Sequence, residues 1–260
     1  MKILRLNLHA WRYRAQSLFY VSAFFLLANS TWSQDWDAES APVLDTAQIV
    51  ASMERHDLNQ AQTLKHYHAV RHYSIVYRGF GRTITAAIET EVDYDEASGK
   101  SFRIISRSGS KTLCHRVLER AVESEREAWK DKASTALSEA NYVFRLLGTD
   151  QLDGHPAYVL AVEPIKPNKF LYKGKIWVDA IYFAVKQMEV QPAKNPSFWI
   201  SLTLIHHSNQ EVNGFWLPER NQSTTKVRIG GTAVMTIDYG TYQTDPQAAP
   251  RTVSSLTPIR

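Results

Sequence analysis

Hydrophobic and polar positions change period twice along this chain. Between 46 and 63 the apolar residues Ile49, Val50 and Met53 share one helical face, which predicts a helix starting at Asp45 or Thr46 and ending before Leu64. From 65 to 78 the period becomes two. Odd positions carry Tyr67, Ala69, Tyr73, Ile75 and Tyr77, even ones His66, His68, His72, Ser74 and Arg78, with Val70 and Val76 interrupting. Between 83 and 94, Ile84, Ala86, Ile88, Val92 and Tyr94 alternate with Thr83, Thr85, Glu89, Glu91 and Asp93. Successive side chains of a strand point to opposite faces, so each segment has one apolar and one wet face. Gly79-Phe80-Gly81 supplies the turn between them, and Ser98-Gly99 leads into a third strand through Phe102, Ile104 and Ser106.

A helical period returns over 111–133. Leu113, Val117, Leu118, Ala121, Val122 and Trp129 form a stripe, and Glu119, Glu123, Arg126, Glu127 and Lys130 fall mostly opposite it. Beyond Tyr142 come about seven strand-like segments, near 142–151, 156–163, 169–179, 181–191, 198–209, 212–225 and 229–243. Turn signals at Asp153-Gly154, Pro164 to Pro167, Asn195-Pro196 and Asn213-Gly214 separate several of them. About ten strands joined by tight turns form an antiparallel meander, and a sheet of that width curls. The predicted fold is mainly β with helices, an incomplete antiparallel β-barrel wrapped around a lid helix at 111–133. The lid leaves an apolar space above Ile84, Ile88, Val92, Phe102 and Ile104, roofed by Leu113, Val117, Leu118 and Trp129.

The ends of the chain change the charge argument. Lys2, Arg5, Arg12 and Arg14 precede an apolar run from Leu18 to Ala28, followed by small residues at Ala28-Asn29-Ser30 or Thr31-Trp32-Ser33. These are the three parts of a secretory signal peptide over 1–33, with cleavage after Ser30 or Ser33. The run is about 11 residues, short of the roughly 20 that span a bilayer, so cleavage is favoured over an uncleaved anchor. The whole chain has 30 Lys+Arg against 26 Asp+Glu, and the first 33 residues hold four bases and no acid. The remainder is therefore neutral, and the basic balance of the whole chain, which comes from residues 1–33, gives no reason to expect nucleic acid. Residues 34–42 are expected as a leader, 43–243 as one large domain and 244–260 as a disordered Pro/Ser/Thr tail. A single cysteine, Cys114, makes no internal disulfide and lies far from any mature N-terminus, so no lipid-modified cysteine is expected.

The second half carries a family resemblance. Tyr172-Lys-Gly174-Lys-Ile176-Trp177-Val178-Asp179 is followed by Phe183-Ala184-Val185, then Ser197-Phe198-Trp199, and a last hairpin holds Gly214-Phe215-Trp216-Leu217-Pro218. Over about 140–243 this resembles the LolA-like outer-membrane lipoprotein-sorting proteins of the periplasm, to which RseB-type sigma-factor regulators are related in fold. The resemblance implies an incomplete antiparallel barrel with helices across its mouth, acyl chains held in an apolar cavity, and no catalytic centre. It implies a soluble periplasmic carrier of lipid or lipoprotein acyl chains, with receptor proteins of the inner or outer membrane as partners. The alternative it implies is an RseB-like lipid sensor bound to a membrane signalling partner. No residue role of the family is carried over.

Other candidate chemistry weighs less. His66, His68 and His72 share the wet face of one strand, and His206 and His207 could add a ligand. A zinc site wants a closed ligand set with a second shell, so solvated histidines are expected and neither metal nor cofactor. Cys114 and His115 are adjacent on a helix and point about 100° apart, so they form no dyad. Asp93, Asp95 and Glu96 lie where a strand enters a turn, an ordinary place for acids. Among the aromatics Trp177, Phe198, Trp199, Phe215 and Trp216, core packing accounts for most. Trp177, Phe198, Trp199 and Trp216 are expected on the cavity wall.

Overall fold

The computed structural model describes residues 43–195, 198, 200–228 and 230–244. The expected signal peptide, leader and nearly all of the tail lie outside these residues, as does Trp199.

Helix α1 (Thr46–Thr63) opens on a capping box: the Gln48 N–H donates to Asp45 at 2.8 Å and the Asp45 N–H donates to Gln48 Oε1 at 3.0 Å. Its stripe of Ile49, Val50 and Met53 is wholly buried. Three strands follow, β1 (His66–Gly79), β2 (Arg82–Asp95) and β3 (Gly99–Gly109). Then comes a helical stretch: α2 (Lys111–Leu113), a π-helical turn (Cys114–Leu118), α3 (Glu119–Lys130) and the short α4 (Lys132–Thr135). Seven more strands form a second meander, β4 (Tyr142–Leu152), β5 (His155–Pro164), β6 (Tyr172–Asp179), β7 (Val185–Pro192), β8 (Ile200–Val212), β9 (Phe215–Val227) and β10 (Thr232–Asp238). A last strand, β11 (Tyr242–Thr244), ends the described chain.

All eleven strands belong to one antiparallel sheet in the order β3-β2-β1-β10-β9-β8-β7-β6-β5-β4, with β11 also paired to β1. The architecture is thus an incomplete antiparallel barrel. Its two edges, β3 and β4, are consecutive strands in sequence, and the helical stretch between them crosses from one edge to the other. Two hydrophobic cores lie against the sheet. One joins β1, β2, β9, β10 and β11 to the crossover helix through Ile88, Val92, Cys114, Leu118, Val122 and Phe215. The other joins β4, β5 and β6 to α1 through Ile49, Val50, Met53, Tyr158, Leu160 and Ile176.

The final strand is broken at Gly240. There the backbone has φ of +65°, and a Cβ would collide with the Val70 carbonyl oxygen, so glycine is required. The break splits the predicted 229–243 strand into β10 and β11 and turns the Tyr239 ring into the interior. A second difference from the sequence reading is the π-helical turn over Cys114–Leu118, in which Cys114 is buried together with the expected Leu118.

Candidate functional site

Only part of the expected cavity wall lines an open space. Ile88, Val92 and Leu118 are buried at 1% exposure or less and belong to one packed core, with Leu113, Val117 and Trp129 partly buried against it. The crossover helix is therefore seated in contact with β1 and β2. Ile84 is more than a third exposed, because β2 runs past the helix at that end. Phe102 and Ile104, on edge strand β3, face an open groove of about 370 Å³ between that strand and the crossover helix. Val122 shares its floor, and Arg107, Arg120, Arg126, His115, Glu119 and Glu123 form its rim.

The aromatics of the second half separate by face. Trp177 pairs with Val159 across the β5–β6 ladder, whereas its neighbours Ile176 and Val178 enter the α1 core. It therefore lies on the opposite face of the sheet from that core, where its indole N–H donates to Asp150 Oδ2 at 3.0 Å. Phe198 is 77% exposed with the Arg228 guanidinium 5.2 Å from its ring. Trp216 is the expected residue that reaches the second cavity.

That cavity, about 320 Å³, lies between α1 and the strands that follow it across the sheet. Leu137, Tyr142, Ala184, Val185, Met188 and Trp216 give it an apolar wall. His56, Asp57 and Gln60 enter from α1, and Thr135, Tyr172 and Asn209 complete the lining. Gln60 holds the helix in place: its Nε2 donates to the Trp216 carbonyl at 3.0 Å, and its Oε1 accepts the Trp216 N–H at 2.7 Å. Asn209 is likewise committed, donating to the Val185 carbonyl and facing His207 Nε2 at 3.1 Å. The Tyr142 hydroxyl accepts the Tyr172 N–H.

Three polar groups of the lining, His56 Nε2, the Asp57 carboxylate and the Tyr172 hydroxyl, make no side-chain hydrogen bond among the described residues. His56 Nε2 is buried and has no hydrogen-bond partner among the described residues, and burial lowers the affinity of this imidazole for a proton. Asp57 is open to solvent yet largely surrounded by protein. Desolvation, with Glu54 nearby, pushes its carboxyl up to about 6. Neither residue was marked by the sequence, where His56 and Asp57 look like the solvated side of an amphipathic helix.

A third group went unmarked. Arg71 sits on the inward face of β1 between Ala69 and Tyr73, with no exposed surface. Its Nη1 donates to Glu125 Oε1 at 2.9 Å and Oε2 at 2.8 Å, and Lys100 donates to the same carboxylate at 3.0 Å. The Tyr239 ring, placed by the Gly240 break, lies 4.6 Å from the guanidinium carbon. Burial opposes the Glu125 charge, but Lys100 and Arg71 outweigh it and hold the carboxyl down at about 2. The same anion pushes Tyr239 and Tyr172 up, on top of the larger effect of their burial.

The histidines and the cysteine occupy ordinary positions. His68 faces its cross-strand partner Asp93 at 2.7 Å, and His66 faces Asp95 at 3.0 Å. His206 meets Glu189 at 3.5 Å, while His207 points inward. Among the described residues no three metal-ligating side chains converge. Cys114 is buried with Sγ 3.4 Å from the Ser108 carbonyl, and His115 points away to Glu119.

No family model matches the sequence. No curated protein matches it either. Among solved structures, a DUF1329 family protein from Desulfovibrio piger is 14% identical, with 78% of this chain and 94% of that one covered at a TM-score of 0.43. A putative outer membrane lipoprotein-sorting protein domain from Vibrio parahaemolyticus is 12% identical, covering 76% and 91% at 0.43. A LolA superfamily protein from Nitrosomonas europaea is 12% identical, covering 77% and 94% at 0.36. The latter two carry the names of the group that the strand motifs of the second half resemble. At these TM-scores and identities the likeness says nothing of what this chain binds.

Proposed function

We propose that this chain is an exported carrier of the cell envelope that holds lipid, or the acyl chains of a lipoprotein, in the cavity beside α1. Residues 1–33 direct export, 43–243 form the carrier domain, and no catalytic step is involved. The observation that supports this reading is the 320 Å³ cleft itself, with an apolar wall at the margin of the α1 core and polar groups of α1 along its other side. Its volume is at the low end of the roughly 300–1,000 Å³ of small-molecule sites, enough for the end of one chain. The wall of Leu137, Ala184, Val185, Met188 and Trp216 suits methylenes, each contributing about 0.8 kcal/mol on burial, while the α1 side suits a polar head.

Among the described residues no helix is long and apolar enough to cross a membrane. In this reading a membrane receptor takes delivery of the cargo. Native mass spectrometry of the protein purified from its own envelope tests the reading. A retained amphiphile is expected as added mass. A bare protein that also fails to take up a long-chain amphiphile in solution overturns it.

A further inference from the structure

We infer that the cavity beside α1 selects an amphiphile with an uncharged, hydroxyl-bearing head, a glyceride-type ligand, and rejects one whose head is an anion. This rests on the reading of that cavity as a lipid site.

The charges around the cavity are one-sided. Neither Lys nor Arg is among its lining residues, whereas Asp57 lines it and Glu54 and Asp179 lie close enough to act on Asp57 and His56. Arg71 and Lys100 are both committed to Glu125, and Lys186, next to the lining residue Val185, is committed to Asp153 and the Leu152 carbonyl; none of the three is among the lining residues. A carboxylate or phosphate head would thus enter a partly desolvated space with no counter-ion and with Asp57 facing it. Charge without a partner in such a place is strongly disfavoured.

The uncommitted groups suit a hydroxyl. Gln60 and Asn209 are occupied by structural hydrogen bonds, which leaves His56 Nε2, the Asp57 carboxylate, the Tyr172 hydroxyl and the O–H of Tyr142, whose oxygen accepts the Tyr172 N–H. A hydroxyl both donates and accepts, so it satisfies the carboxylate as donor and the imidazole in either tautomer. An anionic head only accepts; the Tyr142 and Tyr172 hydroxyls can each give it one hydrogen bond, but no cation of the lining offsets its charge and the ionised Asp57 repels it.

Isothermal titration of the mature protein at pH 8 with 1-monolaurin, and competition by laurate of the same chain length, tests this. Competition counts only laurate that displaces monolaurin, so binding in the arginine-rimmed groove beside β3 is not scored. Monolaurin is expected to bind at least about tenfold more tightly than laurate. Asp57→Asn should narrow the ratio to about threefold or less, and Asp57→Lys should invert it, with circular dichroism confirming that each variant folds. Laurate competing as well as monolaurin, or a preference untouched by both substitutions, overturns the inference while leaving the carrier reading standing. If neither ligand binds, both the inference and the carrier reading are overturned.

Discussion

Arg71 and Glu125 meet inside the molecule, the guanidinium of the first giving one nitrogen to both carboxylate oxygens of the second at 2.9 and 2.8 Å. The first lies on β1 and the second on α3, so this pair ties the crossover helix to the middle of the sheet. It is a costly tie, since two charges leave water to form it. Its worth is specificity of seating: only one placement of the helix lets Glu125 face both Arg71 and Lys100.

Removing one partner should therefore hurt far more than removing both. Glu125→Gln leaves Arg71 charged and wholly buried, and a loss of about 3 kcal/mol or more is expected in urea unfolding. Arg71→Met combined with Glu125→Leu should recover most of that loss. If the double variant is as unstable as the single one, the pair is not what makes the single variant fail.

The same carboxyl sets an acid limit. Its folded value lies near 2, below the ordinary 4.5, so its stabilisation is present above about pH 4.5 and is lost as pH falls towards 2. Stability measured across that window should fall more steeply for the unmodified protein than for the Glu125→Gln variant. Parallel profiles would contradict the assignment.

Gly240→Ala should cost about 1–3 kcal/mol through its positive φ alone, and more because the new methyl meets the Val70 carbonyl. It should also move Tyr239 off Arg71, visible as a change in near-ultraviolet circular dichroism. An alanine variant with unchanged stability and spectrum would mean that the break between β10 and β11 can be repaired.

Cys114→Ser is expected to leave the fold intact, at a cost of no more than about 2 kcal/mol, since the thiol is a small buried group beside two carbonyls. A larger loss in thermal unfolding would show that the sulfur fills space an oxygen cannot.

Much of this fold is legible in the sequence because burial follows period. The alternation of 65–78 and 83–94 gives β1 and β2 nearly to the residue, and Ile49, Val50 and Met53 give the buried face of α1. What escapes is charge on an inward position. Arg71 occupies an odd place in the file Tyr67, Ala69, Tyr73, Ile75, and Glu125 falls between Val122 and Trp129 on the helix stripe. Strand parity puts Arg71 on the inward face and helical spacing puts Glu125 on the stripe, but each needs its partner in view, 54 residues away, before burial makes sense. Trp177 shows the reverse error. Its hydrophobicity suggested the cavity wall, while its parity with Ile176 and Val178 put it on the other face. The cavity itself was not legible, because its lining comes from α1 and from strands far apart in the chain, and no local pattern encodes the gap between them.

The central claim is that an acyl chain enters the cavity beside α1 and not the space under the crossover helix or the groove beside β3. Photo-crosslinking the mature protein with a diazirine-bearing monoacylglycerol, and mapping adducts by peptide mass spectrometry, reads the location directly. The account predicts saturable adducts on Leu137, Val185, Met188 and Trp216, competed away by unlabelled 1-monolaurin. Adducts concentrated on Phe102, Ile104 and Val122, or labelling that no competitor reduces, would contradict it.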